Sequence, residues 1–529
     1  MSTGSVYFKS DVVVEPLLNQ WYAWTNLIPP ASAALYIANS HLKIMESFVA
    51  APQAHISALK NPAMRGGPFI DYDASKVGEI KELLQKTRKE QAHMLELAEA
   101  IKHLDDMLQA EAAGFSMEPL YSKVPYPLRG YVELVYDLHN HPSIRFIEGL
   151  LYKSKYYNPA SQSVGLSQLS GDNRSFVFST PRLKRSDYLF LNVPFNHEGL
   201  DQLFKMRTVP QSYGHIKDAL QVNDADDDLF SSFFTSQAPP TPAPYKGDGV
   251  RIRYFGHACV LIETKDVSVL SDPVISYKSG DGIDRYVFAD LPEYIDYVLI
   301  THSHQDHIIL EPLLQLRHKI RNVLVPKGSG ADHADPSLKL ILEMAGFRNV
   351  REIGEMESIE LDKGRLTAVP FLGEHSDLRV TAKTAYFVEL LGKSVLLAAD
   401  SRNIEPLLYE HVHEHLGDVD ILFIGMECEG APISWFYGPL FTTPLSRKID
   451  HSRRQNGSDY EKGIEIVDIL KPKHVYVYAM GQEPWLTFLT TLQYTSESIQ
   501  IIESDKLVEQ CLSRDLIAER LFMSKEIFL

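Results

Sequence analysis

The spacing of hydrophobic positions changes character near the middle of the chain. Within residues 76–110, Met94, Leu97, Ile101, Leu104 and Leu108 recur at intervals of three and four, with Lys, Glu and Gln filling the other faces. An apolar stripe at that period predicts one long amphipathic helix. Residues 175–179 and 188–193 read as short strands, so the first half is mixed α+β. Downstream, short apolar runs take over. Residues 250–264 predict a strand, a Gly-His turn and a second strand, and 267–270 a strand ending in Ser271-Asp272-Pro273. Residues 297–301 predict another strand and 309–317 a helix. The alternation continues through strands at 395–399, 421–424 and 475–478. Strands interleaved with helices predict a layered α/β domain.

Between the two textures, Pro239, Pro240, Pro242 and Pro244 fall within six residues. Proline lacks the backbone N–H that helices and central strands need, so this stretch is an extended connector. The expected organisation is an N-terminal α+β domain (1–238), a Pro-rich linker (239–249) and a catalytic domain (250–529).

Composition narrows the function. A net charge of −17 repels phosphate, which argues against a nucleic-acid partner. The three cysteines, Cys259, Cys428 and Cys511, are scattered and odd in number. That excludes a disulfide framework or thiolate zinc cluster and points to a reducing compartment. The greasiest stretch, 23–38, is broken by Pro29 and Pro30, and residues 1–14 lack a basic segment followed by an apolar core. A cytoplasmic protein without a membrane partner is expected.

The candidate chemistry lies in Thr301-His302-Ser303-His304-Gln305-Asp306-His307, directly after a predicted strand. His302 and His304, two residues apart, can converge on one metal, and Asp306 and His307 can address a second. Imidazole and carboxylate donors suit zinc or iron. A third-ligand region holds Glu374 beside His375, either of which could coordinate, and Asp400 stands at the end of a strand.

The motif HSHQDH, with GHACVLIET, SDP and LLAAD, resembles the metallo-β-lactamase fold over about residues 250–510. The resemblance implies an αββα sandwich with a dinuclear site at one edge and an aspartate, here Asp400, bridging the metals. Plain hydrolases of that fold end a late strand in His-Tyr-Gly. Here Ala479 holds the histidine's place, and His474, five residues earlier, reads as structural or as a neighbour of the site. Over the whole chain the sequence resembles the diiron β-hydroxylase of chloramphenicol biosynthesis and its relatives in nonribosomal peptide pathways. In that family a glutamate replaces the third histidine and the late histidine is absent. The resemblance implies one iron on His302, His304, Glu374 and Asp400, and another on Asp306, His307 and Asp400.

It further implies dioxygen-dependent β-hydroxylation of an amino acid tethered as a thioester to a carrier domain. The N-terminal half would meet the carrier and form a homodimer. No flavin, nicotinamide or iron–sulfur motif is present, so electrons come from an external donor. A carboxylate-rich donor set with an open second metal independently suits iron and dioxygen. The alternative is a dinuclear zinc or manganese hydrolase of the same superfamily. A scaffold with a degenerate site is disfavoured because six ligands remain.

Several features read two ways. Trp435, Phe436 and Tyr437 either line a substrate tunnel or anchor a loop, and Glu427 and Glu429 are either near the metals or solvated. Arg182, Lys184 and Arg185, like Arg453 and Arg454, are solvated basic spots or a carrier-docking surface. His139 and His141 are expected to have a structural or surface role, and Asp224, Asp226, Asp227 and Asp228 to form a solvated loop.

Overall fold

The computed structural model describes residues 4–240, 243–280, 282–328 and 332–529. Pro242 of the connector lies outside the described residues. Two seven-stranded sheets dominate the second half. One runs, in spatial order, 350–353, 320–326, 295–299, 268–271, 259–263, 251–256 and 525–528. The other runs 358–361, 364–369, 385–390, 393–397, 421–425, 474–478 and 517–520. Alternate residues of both sheets, among them Ile252, Val260, Leu299, Leu366, Val395 and Phe423, interlock in one buried layer. Helices Leu407–Leu416, Tyr460–Leu470 and Ile499–Leu512 cover the outer face of the second sheet. Leu310–Leu316 and Leu338–Met344 cover the first, completing an αββα sandwich.

Four strands of each sheet are mutually parallel, and their carboxyl ends point the same way. Loops leaving that edge therefore converge, as ligand-binding loops do in parallel sheets. This edge carries residues 300–307, Asp272, Asp400, Glu427 and the 479–481 turn.

The N-terminal half packs onto the sandwich along two shared cores. The four-stranded sheet built from 21–22, 12–18, 162–168 and 188–191 shares a core with the first sandwich sheet, its strand 12–18 packing on helix 310–316. Helices Pro30–Tyr36, Leu42–Ala50, Val77–Glu90 and Ala92–Glu111 enclose the second core, which takes in Ile433, Phe436 and Tyr437 from the other half.

The long helix predicted over 76–110 is two helices, broken at Gln91. Gln91 is buried and its side chain donates to Asn19 Oδ1 at 3.0 Å, so a tertiary bond fixes the break. Residues 175–179 are not a strand. Their Val177 N–H donates instead to the Phe488 carbonyl of the other half. Arg182 is neither solvated nor a docking residue: it is buried and ion-paired with Glu15 at 2.8 Å.

Candidate metal centre

Strand Ile295–Leu299 is followed by Ile300 and Thr301, and from there the chain turns through all four metal-motif residues. Thr301 anchors the turn: its N–H and hydroxyl donate to Asp272 Oδ1 and Oδ2 at 2.8 and 2.6 Å. With its proton so committed, the Thr301 hydroxyl accepts from His302 Nδ1 at 3.0 Å. The Nε2 of His302 is left buried and unpartnered. Asp272 Oδ2 also takes His307 Nδ1 at 2.9 Å, which aims His307 Nε2 at Asp400 Oδ2, 2.9 Å away. Fixing one imidazole nitrogen in this way selects the tautomer whose other nitrogen can bind a cation.

Three donor groups form, each with ligand atoms within 4.8 Å of one another: His302, His304 and Glu374; His302, His307 and Asp400; and His257, Asp306 and His307. His304 presents Nδ1 to Glu374 Oε1 at 2.8 Å. Asp400 follows strand Lys393–Leu397 and packs against Gly425, where a Cβ would lie 2.6 Å from Asp400 Oδ1. All six residues of the sequence-derived set therefore meet at one edge of the sandwich. His375 is beside them but in none of the three groups, with Nδ1 2.7 Å from Tyr437 Oη and Nε2 buried without a hydrogen-bond partner. His474 begins strand His474–Tyr478 at the end remote from the site.

Sequence reasoning missed two roles. Asp272 orients His307, and its signal was the strand-terminal Ser-Asp-Pro. His257, in the Gly-His turn, comes within 3.4 Å of Asp306. Tyr437 reaches both His304 and His375, whereas Trp435 and Phe436 line a cavity of about 980 Å³ between the halves. That cavity stops one ring short of the site, since Phe436 stacks edge-on to His304 with centroids 4.8 Å apart. Arg453 and Arg454 are spoken for by loop carbonyls, Ser376 and Gly430. His139 and His141 sit exposed at a hairpin tip, away from the other histidines, with His141 bonded to Asp137.

The electrostatics ask for cations. Burial, reinforced by neighbouring imidazoles, holds His302 far below the usual histidine range, and burial pushes His304 down to about 4. Both are neutral bases at pH 7. Burial pushes Glu374 and Glu427 well up, and each is raised further by nearby carboxylates, Asp400 and Asp306 among them. Burial opposes a proton on His307, yet Asp400 and Asp272 outweigh it. Buried carboxylates crowded beside His302 Nε2 and Asp400 Oδ1, neither with a hydrogen-bond partner, fit two bound metal ions, which would supply the missing positive charge.

Residues 7–239 match the family described as the diiron non-heme beta-hydroxylase N-terminal domain, and residues 251–432 match the beta-lactamase superfamily domain. The chain is 38% identical over 526 residues to the 4-amino-L-phenylalanyl-CmlP-peptidyl-carrier-protein 3-hydroxylase of Streptomyces venezuelae, covering 98% of this chain and 99% of that one. The chain belongs to the diiron β-hydroxylase family. Its structure superposes on the crystal structure of CmlA, a diiron beta-hydroxylase from Streptomyces venezuelae, with a TM-score of 0.94, 37% identity and full coverage of both chains. Diiron β-hydroxylases are oxygen-inserting enzymes, so the dinuclear hydrolase alternative is set aside. No helix among the described residues is long and apolar enough to cross a membrane.

Proposed function

We propose that this enzyme hydroxylates the β-carbon of an aminoacyl group held as a thioester on a nonribosomal peptide synthetase carrier domain. One iron would be held by His302, His304, Glu374 and Asp400, and the other by Asp306, His307 and Asp400. The observation that carries this reading is the donor set: a glutamate pairs with His302 and His304, and Ala479 offers the second metal nothing. When bound, the irons supply dioxygen activation, with electrons from an external donor.

The protein's own residues do the rest. Thr301 and Asp272 hold the imidazoles in their metal-facing tautomers. Tyr437 fixes His304 from behind, and Phe436, backed by Trp24, packs against its ring. The N-terminal half grips the motif directly, because Thr25 bonds to Ser303. The cavity between the halves has room for a tethered arm, and the Streptomyces relative acts on a carrier-bound amino acid.

We read 1–238 as the recognition half, 239–249 as the connector and 250–529 as the catalytic half. Phe115, Tyr126 and Leu138 stand at least 80% exposed on the N-terminal half, and a homodimer would cover them. Three cysteines without disulfides suit the cytoplasm.

The test is incubation of reduced enzyme and labelled dioxygen with a panel of loaded carrier domains and the same free amino acids, followed by mass spectrometry. One labelled oxygen atom should appear on the aminoacyl group of a loaded carrier only. Release of the amino acid without oxygen incorporation would instead support thioester hydrolysis.

A further inference from the structure

His257 lies in the turn between strands Arg251–Gly256 and Cys259–Glu263, 1% exposed, with a left-handed φ of 52°. That conformation is uncommon outside glycine and persists where contacts hold it. The contacts come from the late-strand turn. The Ala479 N–H donates to the His257 carbonyl at 3.0 Å, and the Gly481 N–H donates to His257 Nδ1 at 3.2 Å. A ring nitrogen that accepts carries no proton, so the neutral ring has its proton on Nε2. That Nε2 is 3.4 Å from Asp306 Oδ2 and has no hydrogen-bond partner of good geometry, while the ring lies 4.9 Å from that of His307.

We propose that His257 is a positioning residue: its Nε2–H faces Asp306 Oδ2 and would hold it once a metal is bound, so that Asp306 would offer the second metal a single oxygen. The proposal rests on Asp306 being a ligand. A carboxylate free to turn could bind through both oxygens and close over the coordination position that Ala479 leaves empty. Committing Oδ2 to His257 keeps that position available. The 479–481 turn thus contributes its backbone, rather than a side chain, to the metal centre. His257 is not itself a ligand, because the nitrogen facing the site is the protonated one.

The experiment is anaerobic titration of ferrous iron into the full-length, chelator-treated protein, comparing wild type, His257→Ala and His257→Gln. The alanine variant should bind the second iron about 10–100-fold more weakly, as losing an outer hydrogen-bond partner does, with the first iron little changed. Glutamine, whose amide N–H reaches a similar point, should recover most of that affinity. The Mössbauer parameters of one iron site should change in the alanine variant and revert with glutamine. Iron-free melting temperatures should agree among all three within the few degrees that one hydrogen bond accounts for. Alanine titrating like wild type would overturn the proposal, as would glutamine and alanine losing the second iron equally, the sign of a true ligand. Wild-type protein taking up no iron would overturn the diiron reading itself, whereas losses confined to the variants bear on His257 alone.

Discussion

The hydroxyl of Thr25 donates to the backbone carbonyl of Ser303 at 2.9 Å, tying the N-terminal half to the residue between His302 and His304. Both residues are buried. Thr25→Val should leave the carbonyl unpaired at a cost of about 1–3 kcal/mol and loosen iron binding, while Thr25→Ser retains both. Chemical denaturation and iron titration check this. A valine variant as stable and as iron-retentive as wild type would show the contact to be idle.

Arg174 joins the halves a second time. Its guanidinium reaches Glu15 at 2.7 Å and Glu311 at 2.9 and 2.8 Å, and Glu311 belongs to the helix that follows the metal motif. Arg174→Met leaves buried Glu311 without its ion-pair partner, while Glu15 keeps Arg182. Removing one partner of a buried ion pair costs about 3–5 kcal/mol, and the denaturation midpoint should fall accordingly. A loss comparable to that of an exposed pair, such as Lys86–Glu90, would contradict the assignment.

Glu374→Ala should lose iron or dioxygen reactivity far more than His375→Ala. Glu374 Oε1 faces His304 Nδ1, whereas His375 Nδ1 is taken by Tyr437. Metal analysis and the absorption of the oxidised cluster report the ranking, and the reverse order would reassign the ligand.

Asp400 is the residue proposed to touch both irons, its Oδ2 lying 3.6 Å from His302 Nε2 and 2.9 Å from His307 Nε2. Asp400→Ala should hold fewer than two irons and give no magnetically coupled diferric signal. Two coupled irons in that variant would place the bridge elsewhere.

Glu148 supplies a pH-dependent term. Burial raises its pKa from 4.5 to about 7, although it accepts a hydrogen bond from the Ser337 N–H at 3.0 Å. A carboxyl whose folded pKa exceeds its unfolded one binds more protons when folded. Stability from this group is therefore present below the unfolded pKa and is lost as pH rises through the folded value. The loss is on the order of 3 kcal/mol by about pH 8. Glu148→Gln should flatten the difference in unfolding free energy between about pH 5 and about pH 8. An unchanged slope would mean that another group carries it.

What the sequence determined by itself was local. The histidines and aspartate of HSHQDH lie within six residues after an apolar strand, so their convergence needs only a turn. The proline connector and the strand–helix alternation are likewise written in neighbouring residues, and family resemblance extended the reading to Glu374 and Asp400. The tertiary structure decided which distant groups meet. Strand register sets Asp272 against His307, brings the backbone of the 479–481 turn to His257, and buries Arg182 on Glu15. It also broke the long helix at Gln91 and gave Trp435 to the cavity wall, Tyr437 to the histidines and Phe436 to both. None of these follows from periodicity. Each depends on which buried polar group finds its partner once two sheets and two halves have packed, and that pairing is not encoded within the span of a single element.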